Sequence, residues 1–154
     1  RSMGQYLFRH ANTSCHFPGC CAVRSGSDAN AGAEEALLLD INGFICEGSR
    51  ENVFLVKQDR LLTPRKHNIL EGITRDTVIE LANQRGLQVI EADLTLGDAY
   101  RADEMFMTGT AAEITPIVEL DGRSFGEQCP GPITSALLGD FQKLVLGAQS
   151  PAPV

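Results

Sequence analysis

The sequence has no apolar run long enough to span a bilayer, which excludes a transmembrane helix within it. No secretory signal pattern is expected at its start either, because residues 1–30 lack an apolar core. Basic charge is scarce. Lys and Arg total 13 against 20 Asp and Glu, the net charge is -7, and the pI is about 4.9. That balance argues against nucleic acid or an anionic membrane surface as a partner. The only lysines are Lys57, Lys66 and Lys143. Cysteine is odd in number and unevenly placed, at Cys15, Cys20, Cys21, Cys46 and Cys129. This does not make a disulfide framework, so a reducing, cytoplasmic setting is expected. Cys15-His16 with Cys20-Cys21 lacks the paired spacings of structural zinc sites, and no metal centre is expected there.

What is present suits one globular domain: 154 residues, 43% hydrophobic and 21% charged. Residues 1–33 show neither a helix nor a strand period and read as an irregular segment, linker-like from Arg24 to Ala33. From Glu34 a β-meander is expected. Ala36-Leu37-Leu38-Leu39-Asp40 reads as a buried strand, Asn42-Gly43 as a turn, and Phe44-Ile45-Cys46 as the return strand. Asn52 to Val56 is a further strand, which turns at Gln58-Asp59-Arg60 into Leu61-Leu62-Thr63 before Pro64. A helix follows Gly72, with Thr74 as N-cap and Ile73, Val78, Leu81 and Ala82 as its apolar stripe. Gly86 closes it. Leu87 to Leu94 is a strand, and Thr95 caps a short helix through Ala102. Glu104 to Met107 and Ile114 to Leu120 are strands. Asp121-Gly122 turns into Arg123-Ser124-Phe125. A last helix starts at Pro132 and runs to about Leu146, and residues 148–154 form a disordered, Pro-rich tail. The sum is a mixed α/β (α+β) chain.

Three places invite a ligand. Glu47 lies between apolar Phe44-Ile45-Cys46 and small Gly48-Ser49. It is either a solvated carboxylate at a strand end or a charge aimed into a site, where a cation would offset its desolvation. Gly72-Ile73-Thr74 offers backbone N–H groups, a hydroxyl and a helix dipole, the parts of a phosphate site or of an ordinary capped helix. Thr108-Gly109-Thr110-Ala111-Ala112 is nearly free of bulk, as an anion nest would be, or as a plain loop would be. Together they suggest one pocket with an anion end and a cation end.

These stretches resemble a known family. The carriers are Glu35 to Asp40, Asn42-Gly43-Phe44-Ile45-Cys46-Glu47-Gly48-Ser49 and Glu51-Asn52-Val53-Phe54. Leu70-Glu71-Gly72-Ile73-Thr74-Arg75, Ala102 to Pro116, Asp121-Gly122-Arg123 and Gly131-Pro132-Ile133-Thr134 continue the match. In order and spacing they resemble the class IV (fold type IV) pyridoxal-phosphate aminotransferases, over residues 34–147. Gly109-Thr110-Ala111-Ala112-Glu113-Ile114-Thr115-Pro116 is most similar to the bacterial branched-chain amino-acid enzymes.

The resemblance implies the large C-terminal domain of that fold, a meander and barrel-like sheet with flanking helices. It implies pyridoxal 5'-phosphate as cofactor, an amino acid and a 2-oxo acid as substrates, and a homodimer. Glu47 would pair with the cofactor's ring nitrogen. Ile73, Thr74 and Thr110 would bind its phosphate, and Thr110 with Ala111 the substrate carboxylate. Tyr6, in Gly4-Gln5-Tyr6, would bond the phenolic oxygen. D-amino-acid transamination and aminodeoxychorismate lysis belong to the same scaffold. The sequence also departs from the family. Arg1 occupies the place of the Schiff-base lysine, and arginine stays protonated. None of the three lysines matches that place, so an inactive fragment is a further expectation. Arg50 stands where a small residue is usual. Residues 7–33 do not follow the family's helix, as a divergent stretch or a disturbed reading frame would produce. The small N-terminal domain, with its own phosphate-binding arginine, is not among the 154 residues.

Overall fold

The computed structural model describes residues 8–9, 21–23, 37–48, 51–110 and 113–149. Its centre is β3 (Asn52–Lys57), whose first five residues are all buried. Successive strand residues point to opposite faces, so a strand buried throughout needs cover on both. Val53 and Leu55 face one apolar cluster with Leu37, Ile45, Met105 and Met107. Phe54 and Val56 face the other, with Val78, Leu81, Phe106 and Leu137. The hairpin around Leu39 and Ile45 and helix α2 (Leu96–Tyr100) cover the first face. Helices α1 (Ile73–Gln84) and α3 (Pro132–Gln149) cover the second. The Phe54 and Phe106 rings stack there with centroids 5.0 Å apart. Full burial of one such ring contributes about 1.5–3 kcal/mol.

The neighbours of β3 are antiparallel: β4 (Arg60–Pro64) on one side and β6 (Glu104–Gly109) on the other. β4 then pairs in parallel with β5 (Gln88–Ala92). Parallel strands need a crossover, and α1 supplies it. Beyond β6 lies β7 (Glu113–Leu120), which carries the short β8 (Arg123–Ser124). The segment read as irregular contributes two short strands, β1 (Phe8–Arg9) and β2 (Cys21–Val23), with β2 running parallel to β7. The resulting order is β1-β2-β7-β6-β3-β4-β5, an open sheet among the described residues.

Local chemistry sets the turns. Gln58 and Asp59 both have positive φ, as a tight two-residue hairpin requires. Asp40 accepts the amides of Asn42 and Phe44 through Oδ1 at 2.8 and 2.9 Å, which closes the turn at Gly43. Its arms exchange hydrogen bonds between Leu38 and Cys46–Glu47, yet only Leu39 and Ile45 form a bridge, so the expected strand is a short ribbon. Gly86 ends α1 at φ 76°. Thr95 and Asp98 form a reciprocal capping box at α2. Glu104 reaches across to α3, accepting the amides of Ile133 at 3.0 Å and Thr134 at 2.7 Å. Helix α3 runs to Gln149, past the expected end near Leu146, and residues 150–154 lie outside the described residues.

Candidate active site

Antiparallel neighbours bring the first residue of β3 beside the end of β6: Asn52 is in register with Thr108. The turn before α1 and the segment after the first hairpin arrive at the same rim. Between them is a cavity of about 230 Å³ lined by Glu47, Glu51, Asn52, Leu70, Glu71, Gly72, Ile73, Thr74, Thr108, Gly109 and Thr110. The three stretches singled out in the sequence thus meet in one place. Glu47, Ile73, Thr74 and Thr110 line it together. Ala111, Tyr6 and Arg1 lie outside the described residues, as do Arg50 and the Cys15-His16-Cys20 cluster.

The two ends of the cavity differ in charge. At one end Glu47 is half-buried, and its Oε2 accepts the amide of Leu70 at 2.9 Å. The carboxylate is thereby oriented. Beside it the Cys46 thiol is held above its usual pKa, first by burial and then by the charges of Asp40 and Glu47. At the other end α1 begins. Gly72, not Thr74, is its N-cap, and no side chain caps it. Asp76 is the first amide to reach back into the helix, to the carbonyl of Gly72 at 3.0 Å. The amides of Ile73, Thr74 and Arg75 therefore sit where helix geometry provides no intrahelical acceptor. Such N–H groups and the helix dipole are the parts from which an anion site can be built. Ile73, expected in the apolar stripe, is 87% exposed, and the buried face of α1 starts at Arg75 instead.

The floor of the cavity carries a further polar group. Thr108 is 1% exposed and its hydroxyl has no partner among the described residues. Such a group is costly to leave unmade, and it lines the cavity. The described lining includes three carboxylates, Glu47, Glu51 and Glu71, and no basic side chain. The groups available to an anion are therefore N–H groups and hydroxyls, away from Glu47, while Glu47 suits a cationic or N–H donor. None of the three lysines lines the cavity.

Sequence reasoning missed Asn52 as a site residue. It is 6% exposed, and its Nδ2 donates to the carbonyl of Leu70 at 3.0 Å. The available signal is an amide at the head of an otherwise apolar strand.

The Amino-transferase class IV family matches residues 13–120. The chain is 45% identical over 118 residues to the branched-chain-amino-acid aminotransferase of Pseudomonas aeruginosa, covering 77% of this chain and 38% of that protein. The branched-chain aminotransferase of the archaeon Thermoproteus uzoniensis, solved with norvaline, superposes with a TM-score of 0.72 at 45% identity, over 77% of this chain and 39% of that one. The Thermobaculum terrenum enzyme in its pyridoxal-phosphate form gives 0.73 at 43% identity, over 75% and 38%. The chain spans about two fifths of the length of the curated relatives it matches. With most of its length inside the matched region, the chain belongs to the class IV aminotransferases.

Proposed function

We propose that this chain is the cofactor-binding part of a branched-chain amino-acid aminotransferase. It would use pyridoxal 5'-phosphate to move the amino group of leucine, isoleucine or valine to 2-oxoglutarate. The observation that carries the reading is the pairing of an oriented carboxylate with an uncapped helix entry across one cavity. The residues fit the cofactor: a hydroxyl without a partner at Thr108, a side-chain-free entry at Gly72, and opposite charge preferences at the two ends.

When bound, pyridoxal phosphate supplies an electron sink for the bond broken at the substrate Cα. Glu47 would hold the proton on its ring nitrogen. Ile73 and Thr74 would hold its phosphate through backbone N–H groups and the Thr74 hydroxyl, with Thr110 beside them. Thr110 and Ala111 would hold the substrate carboxylate, and Tyr6 the phenolic oxygen. The described cavity, about 230 Å³, is smaller than the ~300–1,000 Å³ usual for ligand sites. Further protein would complete it. Leu70 and Ile73 at its mouth, 78% and 87% exposed, are the apolar surface such protein would cover. The same reading takes the working form as a cytoplasmic homodimer. No helix among the described residues is long and apolar enough to cross a membrane.

The test is an absorbance titration of the chain with pyridoxal phosphate, followed by borohydride reduction and intact mass. Saturable binding without a reduced covalent adduct is expected, since no lysine lines the cavity. Glu47→Ala should weaken that binding about 10- to 100-fold, the worth of one charge-assisted hydrogen bond. No binding, or unchanged affinity in Glu47→Ala, overturns the assignment.

A further inference from the structure

We propose that Asn52 is a positioning residue that sets the separation between the two ends of the cavity. Gly72 is glycine in order to admit it. The inference rests on the cofactor reading above.

Gly72 has φ -112° and ψ 125°, extended values that any residue adopts. Its lack of a side chain is therefore not a backbone requirement. It is a requirement of space. A Cβ at position 72 would lie 2.1 Å from Asn52 Oδ1 and 3.3 Å from its Cγ. The Asn52 amide thus rests on the backbone of the residue that opens α1. Its other arm, Nδ2, holds the Leu70 carbonyl at 3.0 Å. The amide of the same Leu70 is held by Glu47 at 2.9 Å. One residue of the turn is gripped from both sides, by the group at the cation end and by the group that abuts the anion end.

Asn52 is also fixed in place. It is 6% exposed, it heads the central strand, and its backbone is in register with Thr108 on the cavity floor. It therefore links the floor, the Leu70 turn and the helix entry. A ligand that bridges Glu47 and the amides of Ile73 and Thr74 needs those two ends at a set distance. Without Asn52 the turn loses one of its two anchors and the helix entry loses its stop.

The experiment is a double-substitution cycle on the full 154-residue chain, titrated with pyridoxal phosphate by absorbance, with folding checked by circular dichroism. Asn52→Ala and Gly72→Ala are each expected to weaken binding about tenfold or more, one lost hydrogen bond's worth. In Asn52→Ala the space at position 72 is open. Adding Gly72→Ala there should cost less than about twofold, the signature of coupled sites. Asn52→Leu keeps nearly the same volume and gives up the hydrogen bond without adding a charge, so it should bind as weakly as Asn52→Ala. That separates the hydrogen bond from simple packing. Asn52 variants that bind as tightly as wild type overturn this role and leave the cofactor reading standing. Losses that multiply in the double variant overturn the coupling of residues 52 and 72. Failure of the wild-type chain to bind overturns the cofactor reading, and this role with it.

Discussion

Glu104 offers a sharp test of how the sheet and the last helix are joined. It opens β6, it is 7% exposed, and both carboxylate oxygens accept amides from the first turn of α3, at 3.0 and 2.7 Å. A hydrogen bond to a charged group contributes about 1.5–3 kcal/mol net, and a carboxylate at a helix N-terminus up to ~2 kcal/mol in partly buried geometry. These describe the same contacts from two sides and are not summed. Removing the carboxylate also strands two amides at a buried helix end. For Glu104→Ala we expect a loss of about 3 kcal/mol, a large share of the ~5–15 kcal/mol that holds a typical domain. At this size each kcal/mol shifts the Tm by ~2–4 °C, so a fall of about 6–12 °C should follow. Because the pair is buried, the loss should persist in high salt. Gly131→Ala is expected to cost much the same, since a Cβ there would lie 2.2 Å from the Glu104 Cδ and drive the carboxylate away. Urea denaturation followed by far-ultraviolet circular dichroism measures both. A loss under about 1 kcal/mol for Glu104→Ala, or a harmless Gly131→Ala beside a costly Glu104→Ala, would refute this account.

Two further outcomes are expected. The Asp98 carboxyl is held below its usual value of 3.8, first by the Thr95 hydroxyl, then by the Thr95 amide, with Arg101 adding to it. A depressed folded-state pKa gives stability that is fully present above 3.8 and is lost as pH falls through the lower folded value. The stability gap between wild type and Asp98→Asn should therefore be level from neutral pH to mild acid and narrow as pH falls below 3.8, as thermal melts across pH will show. Arg75 is 1% exposed and donates to the Pro64 carbonyl at 3.0 Å while pairing with Glu91 at 3.1 Å. Arg75→Met should cost about 2 kcal/mol, because the Pro64 carbonyl loses its buried guanidinium donor, whereas Glu91→Gln, at a 41% exposed partner, should cost under ~1 kcal/mol. Chemical denaturation of the two variants would count against this if their costs were equal.

Much of the fold was legible where the information is local. The turns at Asn42-Gly43, Gln58-Asp59 and Asp121-Gly122, the stop at Gly86 and the cap at Thr95 are each written in one to four neighbouring residues. What failed to show depends on distant partners. Thr74 has a good cap side chain, yet Gly72, which has none, takes that position, with Asn52, twenty places earlier, in the space beside it. Ile73 looks like core and is exposed, because the sheet meets α1 further along, at Arg75, Val78, Leu81 and Ala82. A buried arginine is invisible to an apolar stripe; the Pro64 carbonyl, Glu91 and Asp76 make it tolerable there. The parallel pairing of β4 with β5, and of β2 with β7, is a matter of topology that no local pattern encodes. Glu47, Ile73, Thr74 and Thr110, drawn from three stretches that each gave only a weak local signal, line one cavity. Asn52 escapes a reading of the sequence, since a strand-heading amide declares its role only once Leu70 and Gly72 stand against it.

The antiparallel arrangement of β6, β3 and β4 has a practical side. The cavity-lining groups gather on one rim of the sheet, where β3 begins and β6 ends. The opposite rim holds the turn at Gln58 and Asp59, a six-residue strand away, roughly 20 Å at the usual rise. A fluorophore or surface tether attached at exposed Asp59 would leave the cavity untouched. The chain can thus be immobilised or labelled from behind while its open face is presented to candidate partners in solution.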